Sequence, residues 1–166
     1  MYKVLLTILL TFITIFNPAL STENMTLSAG VSVNEVPKTL FGNWRVTAKL
    51  DNATNYGTFK PQGVDMWTLS KTGDTISLSN PFTGANAQIT LKTVEGNLVV
   101  FSKKGAYDNK MLTDTVSLRL DKNTFTGINT LTLESFSLVD GHVIKTDNAR
   151  YIIKGEKISG ENILDK

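Results

Sequence analysis

The sequence predicts an all-β fold: an antiparallel up-and-down β-barrel of about eight to ten strands, with a β-sandwich as the alternative. Three observations carry this. Apolar and polar residues alternate with a period of two through most of the chain after position 38. Turn signals recur roughly every 8 to 12 residues. No window of helical length after position 38 holds a stripe of 3.6-residue period. Closure into a barrel is favoured because it removes exposed strand edges.

The strands follow in order. Trp44, Val46, Ala48 and Leu50 alternate with Arg45, Thr47 and Lys49, which gives one dry and one wet face. The run from Asp65 to Ser70 repeats the pattern with Trp67 and Leu69. Thr72-Gly73-Asp74 turns the chain, and Ile76 and Leu78 return. Ala87, Ile89 and Leu91 precede a turn at Glu95-Gly96-Asn97. Leu98 to Phe101 is apolar on both faces. Val116, Leu118 and Leu120 lead through Asp121-Lys122-Asn123 to Phe125. Leu131, Leu133, Phe136 and Leu138 come next, and Asp140-Gly141 is a hairpin signal. Ala149 to Ile153 is the last strand expected.

The first residues are of another kind. Lys3 gives a positive start, Val4 to Phe16 is an apolar run broken only by threonines, and Asn17-Pro18 ends it. That run has the length of a signal-peptide core and is short for a membrane span. Ala19 and Ser21 supply small residues for cleavage after Ser21. The expected organisation is therefore a signal peptide at 1–21, a flexible arm at 22–38 and a single β-domain at 39–166. The expected location is exported, periplasmic or extracellular, and the absence of cysteine suits a bacterium.

Cleavage takes 21 of the 166 residues and leaves 145, enough for one domain with a real core. Lys3 goes with the leader, so 16 basic residues face 15 acidic ones. So balanced a charge gives no case for nucleic acid or an anionic membrane surface. The lack of cysteine excludes thiol chemistry and thiolate metal sites.

Gly42-Asn43-Trp44 opens the first strand as a Gly-x-Trp. It resembles the signature of the lipocalins and the wider calycin superfamily. That resemblance implies a tryptophan closing one barrel end, with an arginine from near the last strand lying across it. Arg150 is the candidate, which makes Gly42, Trp44 and Arg150 the structural signature. The family's Thr-Asp-Tyr turn is not found at the expected place, and Thr113-Asp114-Thr115 is no more than a remnant of it. The long connection Asp51–Val64, with Tyr56 and Phe59, is similar to the loop that lids a lipocalin's mouth.

No catalytic or metal-binding constellation emerges. His142 is the only histidine and falls in the Asp140-Gly141 turn, where a solvated role is expected. Asp65, Asp74, Asp114, Asp121, Asp140 and Asp147 nearly all fall at expected strand ends or turns, where aspartate bonds its own backbone. Lys103, Lys104 and Lys110 around Tyr107 suggest a solvated basic loop. The function expected is non-catalytic binding of a small, mostly apolar ligand at an open barrel end. Tyr56 and Phe59 would form the lid, and Trp67 and Phe101 the wall. The alternative is a cell-envelope interaction or inhibitor module with no cavity, engaging protein through its loops or through Leu98 to Phe101. Neither reading needs a cofactor, a metal, nucleic acid or a membrane span after cleavage.

The leader reading has a direct test. N-terminal sequencing of exported material is expected to start at Thr22; a membrane-held chain starting at Met1 would overturn it.

Overall fold

Alternation builds the sheet, and the sheet closes on itself. The computed structural model describes residues 31–160 and the backbone of 163–164. The expected signal peptide and the arm up to residue 30 lie outside the described residues. Nine antiparallel strands form the barrel: β1 Gly42–Ala53, β2 Gln62–Thr72, β3 Thr75–Ser79, β4 Asn86–Gln88, β5 Thr90–Glu95, β6 Leu98–Tyr107, β7 Lys110–Asp121, β8 Thr124–Phe136 and β9 Val143–Ser159. A two-residue strand, β10 Ile163–Leu164, runs parallel to the end of β2. No helix of the described residues is long and apolar enough to cross a membrane.

Each strand pairs with its neighbours in sequence, and β1 pairs with β9 to close the meander. The one break lies between β4 and β5. These two are separated only by Ile89 and run in the same direction, so they act as one kinked strand. Its first part pairs with β3 and its second with β6. The connectivity is thus up-and-down, in a nearly closed barrel.

The turns are where the Gly and Asx signals place them. Gly73, Gly96 and Gly141 adopt positive φ. Lys122 does so in the Asp121-Lys122-Asn123 turn, and Asp108 in a turn between β6 and β7. The segment read as a basic loop is therefore two strands: β6 runs through Tyr107 and β7 begins at Lys110. The strands are also longer than expected. β1 reaches Ala53 and β2 starts at Gln62, so the first connection is 54–61 rather than 51–64. β9 extends far on both sides of Ala149–Ile153.

One barrel end is solid. Trp44, Trp67 and Phe125 form its aromatic centre, with Trp44 and Trp67 each against Phe125 at centroid distances of 5.1 and 5.9 Å. Leu40, Phe41, Leu69, Ile76, Phe101 and Leu118 surround them, all buried. Two 3-10 turns, Val33–Glu35 and Lys38–Leu40, cover this end. They fall in the segment expected as a flexible arm at 22–38, where Val36 is buried and Val33 packs on the core. The Trp44 indole donates to the Leu40 carbonyl at 2.8 Å and so ties the cover to β1. Gly42 has φ 135°, and a Cβ there would strike the Ser159 and Gly160 carbonyls. The glycine of Gly-x-Trp is thus required by the returning chain.

Arg150 does not lie across Trp44. It sits on the outer face of β9, between inward Ala149 and Tyr151, and pairs with Asp51. Lys157 holds the place instead, its Nζ 5.4 Å from the Trp44 ring centroid and 2.9 Å from the Thr39 carbonyl. Arg150 fails for two reasons. It has the wrong side-chain phase, and it lies seven residues up the strand from Lys157, ~23 Å at about 3.3 Å per residue.

A Cβ at Gly155 would overlap the Phe125 ring. Gly155→Ala is therefore expected to destabilise the barrel by about 1–3 kcal/mol. Pairing it with Phe125→Leu should cost less than the sum of the two single changes. Urea unfolding of the four proteins measures both.

Candidate functional site

Above the aromatic centre the inner wall changes character. The side chains there are smaller or polar, and a cavity of about 490 Å³ opens to solvent. Its apolar wall includes Val46, Ala48, Leu78, Leu112, Leu131 and Leu133. The 54–61 connection and the Asn80–Ala85 connection stand at its mouth and contribute Phe59 and Phe82. Ala87 of β4 and Tyr107 of β6 line it from either side of the break in the barrel.

Two of the four residues expected to bind ligand meet in this cavity. Phe59 folds inward from its connection and is 9% exposed, and Trp67 on β2 is 7% exposed; both line the space. Tyr56 does not join them. It is 66% exposed, with its hydroxyl 3.4 Å from the Asn52 side chain, on the same connection but outside the cavity. Phe101 points inward, as alternation allows, but is fully buried in the core and is not part of the cavity wall. On its strand Val99 and Phe101 face in, while Leu98 and Val100 are half-buried on the other face.

Asp65 and Asp114, expected at strand ends or turns, stand on the cavity wall, and Asp147 lies beyond it. Asp65, Asp114 and Asp147 occupy inward positions of β2, β7 and β9. Asp114 bonds Lys103 Nζ at 2.8 Å across the β6–β7 pair and accepts from Asn129 Nδ2 at 2.6 Å. The Lys103 and Asp114 side chains are only 11% and 10% exposed. Lys103, Asp114 and Asn129 all line the cavity. Thr113-Asp114-Thr115 is therefore mid-strand and forms no turn. Its pairing is local physics: Lys103 and Asp114 are directly opposite in register, where side chains meet.

Asp65 is held differently. Its carboxylate accepts from the Met66 amide at 2.9 Å, from Trp67 Nε1 at 3.0 Å and from Asn80 Nδ2. The Asn80 Oδ1 in turn accepts from the amides of Phe82 and Thr83. One carboxylate thus fixes the Trp67 indole and the mouth connection together. Higher up, Asp147 accepts from Lys145 at 2.5 Å and from Thr58 at 3.3 Å, which fastens the 54–61 connection to β9. Tyr151 donates to the Lys60 carbonyl at 2.9 Å, and burial pushes its phenol pKa up, so it stays a donor at neutral pH. Tyr107 is raised too, by burial first and then by Asp108.

His142 is exposed in its turn, with Nδ1 2.5 Å from Asp140 Oδ1. Asp140 is held below the usual carboxylate range, chiefly by a hydrogen bond with Ser137. No group of three or more His, Asp or Glu among the described residues is placed to hold a metal ion. Nor does any buried side-chain polar atom among them lack a partner.

The Lys103–Asp114 pair should be costly to break and cheap to replace. Lys103→Met leaves a nearly buried carboxylate without its cation, with an expected loss of up to about 3–5 kcal/mol. Lys103→Met with Asp114→Leu should recover most of that in urea unfolding. Equal losses in the single and double variants would show that the pair is not what stabilises this wall.

The architecture, nine antiparallel strands in a nearly closed meander, is consistent with a calycin-like fold in general and does not single out the lipocalins. Comparison with protein-family models, with curated proteins and with solved structures finds no match to this chain.

Proposed function

We propose that this is an exported, non-catalytic binding protein that holds a small, mostly apolar ligand in the mouth of its barrel. The observation that carries the reading is the cavity of about 490 Å³, walled by aliphatic side chains and edged by Phe59 and Trp67. Its size falls within the range of small-molecule sites, and its composition, apolar with a few oriented polar groups, is what such sites use. A barrel whose interior is filled by its own side chains has no such space, and the lower half of this one is filled in that way. The lipocalin-like reading of function rests on this likeness of use.

A second reading has its own observation. Leu138 and Val139 stand almost fully exposed at the tip of the β8–β9 connection, and Phe82 is exposed at the mouth. Exposed apolar tips at one end suit an envelope interaction or inhibitor module that contacts a protein partner there.

An apolar fluorescent probe separates the two. In the binding reading, 1-anilinonaphthalene-8-sulfonate or a neutral naphthalene analogue binds and quenches tryptophan emission. Trp67→Phe abolishes the quenching, because the remaining Trp44 lies in the closed end. Phe59→Ala weakens binding several-fold without unfolding the barrel. Absence of saturable binding by either probe, with the fold intact by circular dichroism, would overturn the binding reading and favour the interaction module.

A further inference from the structure

The charges on the cavity wall are not all balanced in the same way. Four charged residues line it: Lys60, Asp65, Lys103 and Asp114. Lys103 and Asp114 neutralise each other at 2.8 Å. Lys60 belongs to the 54–61 connection and is exposed at the lip. Asp65 is on the wall itself, one inward position along β2 from Trp67. Its three donors are an amide, an indole and a carboxamide, all neutral, and no described cation pairs with it. Oδ1 takes two of these bonds and Oδ2 one, so Oδ2 keeps an accepting position beside the Trp67 ring.

A carboxylate fixed by neutral donors, on a wall whose Lys103–Asp114 pair neutralises itself, is a pre-oriented acceptor for a positive group. We infer that the cavity selects ligands with an apolar body and a cationic head, such as a primary ammonium, and that Asp65 receives that head. This rests on the binding function proposed above and goes beyond it by naming the ligand's charge. Trp67 and Phe59 then contact the body, while the Lys103–Asp114–Asn129 group, already satisfied, contributes shape rather than charge.

The test uses three probes with one body and three heads: octylammonium, 1-octanol and octanoate. Binding is read by titration calorimetry and by Trp67 emission. Octylammonium is expected to bind at least tenfold more tightly than octanoate, with 1-octanol between them. Asp65→Asn keeps an acceptor for the indole and removes the charge. It should bring octylammonium to within about twofold of 1-octanol, with the binding of 1-octanol by the same variant as the reference. Octanoate binding as tightly as octylammonium in the unaltered protein overturns the inference without recourse to any variant. If Lys60→Gln then removes octanoate binding, the lip lysine and not Asp65 selects the head. Binding of 1-octanol with no advantage for octylammonium defeats the inference and leaves the binding function standing. Failure of all three probes to bind defeats both.

Discussion

The pairing of β1 with β9 is the contact on which the rest of this structure depends. It joins segments about a hundred residues apart, and its register runs from Asn43 beside Ser159 to Ala53 beside Ala149. Before it forms, the chain is an open twisted sheet with two bare edges. Once it forms, one face of every strand becomes an interior. Trp44 of β1 and Phe125 of β8 can then meet, and the glycine at 155 on the strand between them gives the ring its room. Contacts so distant in sequence are slow to find, because the loop must close before any bond repays it. The near-closure at β4 and β5 is the compensating freedom. A single kinked strand divides its hydrogen bonds between β3 and β6, so the circle can close without all of its registers agreeing.

Much of this was legible in the sequence because a period of two is hard to disguise. The faces assigned to Trp44 and Val46, to Trp67 and Leu69, and to Val116, Leu118 and Leu120 are the faces that the barrel buries. Turns at Gly73, Gly96 and Gly141 were marked by residues that tolerate positive φ. What was missed lay where polar residues occupy inward positions. Alternation carried forward from Val99 and Phe101 puts Lys103 inside, and carried back from Ala149 and Tyr151 it puts Asp147 inside. The same phase places Arg150 outside and Lys157 inside. The signal was present, but a charged residue in an inward position reads as the end of a strand until its partner is known. Lys103 and Asp114 are partners only through a hairpin register that the short Asp108-Asn109 turn sets. The site was legible to the same degree. Phe59 and Trp67 were found from their chemistry, whereas Tyr56 and Phe101 failed on direction and depth, which composition does not encode.

The polar wall also bears on why the barrel is half full. Burying an ion pair costs desolvation that its mutual attraction offsets only in good geometry, and apolar replacements are often as stable. A fold selected for stability alone would extend the aliphatic packing of Val116, Leu118 and Ile153 upward. Instead the next inward positions carry Asp114 and Asn129, with Lys103 reaching across, and no buried side-chain polar atom among the described residues lacks a partner. Side chains that must keep hydrogen-bonded partners cannot collapse freely into the centre, so the group holds the wall apart and keeps the cavity open. Asp65 does similar work at the mouth by fixing Trp67 and, through Asn80, the Asn80–Ala85 connection. The solid end supplies the stability, and the open end uses some of it to hold polar groups in an orientation that water alone would not impose.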